Sequence, residues 1–94
     1  MLDIRMREGE GIALIGRLDA AQAPRLAAVL DAQATTTMLD LAGLDYISSP
    51  GIGVLVRVQK RLQAAGDRLQ LVHVQPRVRA VLHFAGLEEF FGLE

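Results

Sequence analysis

Leu2, Ile4 and Met6 alternate with Asp3, Arg5 and Arg7, the period of two expected of a strand with one wet face, and this run is predicted to be a sheet edge. Glu8-Gly9-Glu10-Gly11 supplies turn residues, and Ile12 to Ile15 is a short apolar run before Gly16. The first two elements are therefore expected to form a hairpin, with Leu18 and Asp19 leading into a loop. From Gln22 to Gln33 the residues Leu26, Val29 and Leu30 recur at helical spacing and Pro24 fits a first turn, which predicts a helix. Thr35 to Thr37 break that pattern, and Met38 to Leu41 is predicted as a buried strand that ends where Ala42-Gly43 turns; Asp40 is its one charge.

Ile52 to Ala65 has the pattern of a second helix, stopped by Gly66 as a C-cap, with Asp67 opening the turn back. Leu69, Leu71 and Val74, with Val72 facing the other way, predict a third buried strand. Pro76 then opens a helix whose expected core face is Val78, Val81, Leu82 and Ala85. Gly86 ends it, and Leu87 stands where a Schellman stop places its hydrophobic residue. Phe90, Phe91 and Leu93 give the tail apolar residues to dock and leave room for a short last strand.

The order is β-β-α-β-α-β-α with that optional last strand. Helices between the later strands force crossover connections, so the fold class is α/β, a mixed sheet of four to five strands with about three helices packed on it. The 94 residues, 51% of them hydrophobic, suffice for one domain with a real core and are too few for two. Residues 1–94 are expected to form that domain.

Ten basic residues against eleven acidic ones leave a formal charge of −1, which argues against a nucleic-acid partner that would need a net basic face. The absence of cysteine excludes disulfides, thiolate nucleophiles and Cys-ligated zinc. No positively charged leader precedes an apolar run, and no uninterrupted apolar stretch reaches the ~20 residues that span a bilayer. A cytoplasmic protein without direct membrane insertion is expected.

Enzyme chemistry finds no residue set. His73, placed in the third buried strand, and His83, on the third helix, have no Ser-His-Asp or metal-ligand arrangement nearby in sequence and are expected to be structural or solvent-facing. Glu88-Glu89 is expected to be a solvated terminus. Gly51 and Gly53 form a G-x-G that lacks the third glycine of a dinucleotide loop and the lysine of a P-loop. No cofactor and no metal are expected.

Ser48-Ser49-Pro50-Gly51 is a strand-to-helix corner. With Pro50 as the first helical residue, Ser49 is the N-cap, its hydroxyl accepting an amide N–H from the first turn, a contribution on the order of 1 kcal/mol. A phosphoryl group there would place nearly two negative charges at the positive end of the helix dipole, where they are tolerated. The same dianion would oppose a partner surface built for a neutral hydroxyl. At 100° per residue, Ile52, Val54, Leu55, Val56, Val58 and Leu62 spread over an arc of roughly 200°, about twice what a surface helix minimally needs. The Val54 and Val58 side is therefore open to two readings, packing against neighbouring helices or contact with a partner. Arg57, Lys60 and Arg61 make a basic stripe opposite.

These residues together resemble a known family, the STAS domains, and in particular the bacterial anti-sigma-factor antagonists. Gly16-Arg17-Leu18-Asp19 is similar to the family's Gly-x-Leu-Asp, and Leu39-Asp40-Leu41 with Leu44, Tyr46 and Ile47 to the strand before its switch. Ser49-Pro50-Gly51-Ile52-Gly53 resembles the switch motif, with Ser48 where the family has Asp and Pro50 where it has a second Ser or Thr. Pro76, Val78, Leu82, Gly86 and Leu87 fit its last helix.

The resemblance implies a STAS (SpoIIAA-like) fold and phosphorylation at Ser49. Taken with the reading of the second helix, the switch-loop and partner-binding surface is expected to be Asp19, Ser48, Ser49, Pro50, Gly51, Ile52, Val54, Arg57 and Val58. The partner the resemblance implies is an anti-sigma factor that is also a serine-protein kinase of the histidine-kinase-like ATPase type, with a PP2C-type phosphatase resetting the cycle. Other STAS domains are accessory subunits of ABC transporters, lipid-transport systems among them, and regulation of such an ATPase is the alternative.

Overall fold

The computed structural model describes residues 1–9 and 11–93, so Glu10 of the expected turn lies outside the described residues. The chain runs β1 (Leu2–Arg7), β2 (Gly11–Leu18), α1 (Ala23–Asp31), β3 (Thr37–Ile47), α2 (Ser49–Ala64), β4 (Leu69–Val72) and α3 (Pro76–Phe84). The strands form one sheet in the order β1-β2-β3-β4. β1 pairs antiparallel with β2 as a hairpin, and the β2–β3 and β3–β4 pairs are parallel. Each parallel pair is joined through a helix. Because such crossovers are right-handed and the strand order advances in one direction, α1 and α2 lie on the same face, where they contact each other.

Leucine fills the space between that face and the helices. Leu14 and Leu18 of β2, Leu39, Leu41 and Leu44 of β3, Leu26 and Leu30 of α1 and Leu55 and Leu62 of α2 are all completely buried. Each such side chain contributes about 1.5–3 kcal/mol of transfer free energy. The other face keeps polar and exposed residues: Arg7 of β1 reaches Asp40 of β3 at 3.2 Å, and Asp40 also pairs with His73 at 3.2 Å. Three oriented donors, the Ala42 N–H first, then His73 and Arg7, hold the Asp40 carboxyl below its usual range.

Both middle strands run further than their glycines suggest. Gly16 does not end β2 and Ala42-Gly43 does not end β3; each glycine lies inside its strand, near register shifts in the β2–β3 pairing. Gly43 pairs beside Ile15, where a Cβ would lie 2.8 Å from the isoleucine Cγ1. The glycine thus serves close strand approach, a role that a turn-forming reading cannot separate from a break.

Other boundaries also move. α2 begins at Ser49, three residues before Ile52, where its apolar pattern starts, and one before Pro50. It ends as expected, in a Schellman turn: Gly66 has φ +80°, its N–H bonds Gln63 O at 3.0 Å and the Asp67 N–H bonds Leu62 O at 2.8 Å. β4 stops at Val72, so Val74 is outside it, and His73 adopts φ 55° in the loop instead of a strand. Because β4 pairs with Thr37–Asp40 only, α3 packs on β3 beyond its end, and the Gln75 amide donates to Ala42 O there. Val78 and Leu82 of α3 are buried, whereas Val81 and Ala85 are exposed, since this short helix turns one narrow stripe to the core.

The tail makes no fifth strand among the described residues. It turns after Leu87, with the Phe91 N–H on Leu87 O at 3.1 Å and the Leu93 N–H on Glu88 O at 2.7 Å, and Phe91 is buried. Glu88 is not a solvated terminal acid: it receives Arg79 at 3.0 Å and His83. The His83 hydrogen bond first, with Arg79 after it, lowers its carboxyl below the usual range. One buried polar side chain escaped the pattern reading. Gln59, on the inner side of α2, accepts the Leu69 N–H at 2.7 Å and donates to Leu69 O at 3.1 Å and Phe90 O at 3.4 Å. Its amide stands where a further strand would pair with β4, closing that edge and tying down the tail.

Candidate functional site at the β3–α2 corner

β2 and β3 end side by side, with Arg17 opposite Tyr46 and Leu18 opposite Ile47. The loops that leave them meet at the C-terminal ends of these two parallel strands. Asp19 follows Leu18. Its backbone oxygen accepts the Gln22 and Ala23 N–H groups, both at 3.1 Å, and its carboxylate accepts the Gln22 N–H at 3.1 Å. Half-buried, Asp19 shapes the entry to α1 beside the corner.

The cap is one residue earlier than expected. Ser48, with extended φ −93° and ψ 167°, accepts the Gly51 N–H on its hydroxyl at 3.2 Å. Its own N–H donates to Leu18 O at 2.9 Å, and its carbonyl accepts the first helical bond, from Ile52, at 2.9 Å. The sheet bond to Leu18 makes Ser48 the last extended residue, so the helix turns at Ser49 and Pro50 sits inside its first turn. Ser49 is thereby not the cap. It is the exposed first residue of α2, at the positive end of the helix.

The expected surface divides. Ser49 and Pro50 are exposed, as is Gly53, and Ile52 and Val54 are half-buried. Gly51 is buried against Leu18, whose side chain would lie 2.7 Å from an added Cβ. Val58 is completely buried, so it packs in the core and offers nothing to a partner. Arg57 is exposed but paired with Asp31 of α1 at 2.9 Å, and Arg61 donates to Leu30 O at 3.0 Å. Two of the three residues of the basic stripe therefore fasten α2 to the C-terminal end of α1, where free carbonyls favour cations. Lys60 stays exposed.

A neighbouring pair joins the site that spacing did not bring together. The Arg17 guanidinium carbon lies 4.2 Å from the centroid of the Tyr46 ring. The two are far apart in sequence, and only the parallel register of β2 and β3 sets them opposite each other. Among the described residues there is no group of three or more His, Cys, Asp or Glu side chains placed to hold a metal ion, and no helix is long and apolar enough to cross a membrane.

The strand-to-helix corner with its exposed serine thus sits at one end of a mixed four-stranded sheet. The family model described as "Mlab, STAS domain" matches residues 4–93, and this chain belongs to the STAS domain family. It is 38% identical over 82 residues to a Bordetella bronchiseptica protein assigned as an anti-sigma factor antagonist, BtrV, covering 83% of this chain and 71% of that protein. It is 31% identical over 91 residues to the anti-sigma F factor antagonist of Lysinibacillus sphaericus, covering 92% of this chain and 78% of the relative.

Among solved structures, the fold matches an anti-sigma factor antagonist from Mycobacterium paratuberculosis with a TM-score of 0.85 at 21% identity, over 99% of this chain and 85% of that one. The anti-sigma factor antagonist SpoIIAA in its unphosphorylated form matches with a TM-score of 0.76 at 25% identity, over 95% and 84% of the two chains. The expected STAS (SpoIIAA-like) fold is thus the observed one.

Proposed function

We propose that this chain is an anti-sigma-factor antagonist that works by partner switching. Unmodified, it binds an anti-sigma factor that is also its serine kinase, of the histidine-kinase-like ATPase type; phosphorylation of Ser49 releases it, and a PP2C-type phosphatase restores it. The relatives' names support the antagonist role. The observation that carries the switch is the division of labour at the corner: Ser48 caps the helix, which leaves the exposed Ser49 hydroxyl unneeded by the fold. A phosphoryl group there lies at the positive end of the α2 dipole, worth about 0.3–1 kcal/mol of stabilisation, so modification leaves the domain folded. What changes is the surface, which gains nearly two charges in the middle of a patch formed by Ser49, Pro50, Ile52, Gly53 and Val54.

The test is incubation with the cognate kinase and Mg-ATP. One phosphoryl group is expected, at Ser49, with labelling lost in Ser49→Ala; labelling that persists in that variant overturns the assignment. Ser49→Asp is expected to melt no lower than the unmodified chain while binding the anti-sigma factor more weakly. Undiminished affinity would exclude charge as the switch. A domain that instead binds a transporter ATPase, with no affinity for the kinase, would belong to the other STAS role.

A further inference from the structure

The C-terminal end of the sheet carries a pair that phosphorylation of Ser49 does not use. Arg17 and Tyr46 face each other across β2 and β3, with the guanidinium 4.2 Å from the ring centroid, and both are exposed, Tyr46 at 38%. The ring attracts the cation, and no hydrogen bond among the described residues uses an Arg17 side-chain N–H. Arg5, Arg7, Arg57 and Arg79 are committed to Asp3, Asp40, Asp31 and Glu88. Arg25 and Arg61 bond backbone carbonyls of Leu2 and Leu30. Arg17, Arg68 and Arg77 have no ion pair among the described residues, and of these only Arg17 is placed over an aromatic ring.

Its nearest acidic neighbour in the chain, Asp19, has its carboxylate turned to the Gln22 N–H. An arginine held in place by an aromatic ring, with its charge unspent, is complementary to a carboxylate from outside the chain. Its position favours the partner of the switch. One register step beyond Arg17 and Tyr46 come Leu18 and Ile47, and the next residue, Ser48, is bonded to Leu18 and caps the helix that Ser49 begins. Tyrosine and arginine are also enriched among the residues that carry most of the binding energy at interfaces.

We propose that the Arg17–Tyr46 stack, at the sheet end that also carries the Ser49 corner, is a docking element that receives an acidic side chain of the anti-sigma factor. This rests on the partner-switching reading above. Specificity then has two parts, a neutral hydroxyl that must stay neutral and a cation that must find an anion.

Isothermal titration of the purified anti-sigma factor kinase from the same organism tests it, with thermal melts confirming that each variant is folded. Arg17→Ala is expected to weaken binding about fivefold and to lower its salt dependence. Arg17→Glu weakens it further, Tyr46→Phe, which keeps the ring face, binds as the unmodified chain does, and Tyr46→Ser falls between. Unchanged affinity in Arg17→Ala and Arg17→Glu, while the unmodified chain binds, overturns the docking element and leaves the switch standing. An Arg17→Ala effect confined to the Ser49-phosphorylated form also overturns it, since Arg17 would then serve the phosphoryl group. No binding by the unmodified chain at all removes both.

Discussion

Ser48 accepts the Gly51 N–H at 3.2 Å, and this one bond separates two serines that stand next to each other in sequence. Ser48 holds the helix start; Ser49, beside it, faces solvent. Ser48→Ala is expected to cost about 1 kcal/mol, a fall of about 4–8 °C in Tm for a domain of this size, whereas Ser49→Ala changes Tm little. Thermal denaturation followed by circular dichroism decides it, and equal losses in the two variants would contradict the assignment of the cap.

Two glycines in the same helix are expected to respond with opposite signs. At Gly51 an added methyl group meets the completely buried Leu18 side chain at 2.7 Å, while at Gly53 nothing lies within 4 Å. Gly53→Ala should stabilise the domain by about 0.5–1 kcal/mol through helix propensity. Gly51→Ala gains the same propensity but is overpacked by about 1–3 kcal/mol, for a net loss of about 1 kcal/mol. Denaturant midpoints of the two variants measure the difference.

Gln59 offers a third measurement. Its side chain satisfies both backbone groups of Leu69 and reaches Phe90 O. Gln59→Leu, close in volume but without the amide, leaves buried polar groups unpaired and is expected to cost about 1–3 kcal/mol. Hydrogen exchange should locate the effect. The Leu69 amide and the turn around Phe91 lose protection first, while amides of β2 and β3 exchange as before.

The acid limb of stability should report Asp40. Its carboxyl titrates below the ordinary aspartate value of 3.8 in the folded state, chiefly because of the Ala42 N–H and then of His73 and Arg7. A depressed carboxylate stabilises the fold above its unfolded pKa, and that contribution is lost as pH falls through the folded pKa. Asp40→Asn should therefore lower stability at neutral pH and flatten its decline below about pH 3.8. Denaturant titrations from pH 7 down to about 2 compare the two curves; parallel acid limbs would count against Asp40 as a contributor.

The candidate site is partly legible in the sequence. Asp19, Ser49, Pro50 and Ile52 occupy the corner where the motif places them, because a strand, a serine pair, a proline and an apolar helix in that order leave few other arrangements. That Val58 is internal and that Arg57 is spent on Asp31 is not legible there. The arc of α2 shows that more than one apolar side exists, but which side α1 covers depends on the crossover and on the Asp31–Arg57 pair. Tyr46 stands in the motif as a strand residue; its partnership with Arg17 needs the register of two strands separated by a helix.

The sequence by itself determined the order of elements, the hairpin, the three proline-marked helix starts, the glycine-marked ends of α2 and α3, and the serine corner. All of these depend on local periodicity, capping and turn chemistry, which act within a few residues. Tertiary structure decided which serine caps, through a sheet bond to Leu18, and that Gly16 and Gly43 lie within strands, through the close approach of Met1 O and Ile15. It also decided that Gln59 closes the β4 edge and that Arg17 meets Tyr46. Each of these pairs groups from separate elements, and a one-dimensional pattern carries no term for the distance between them.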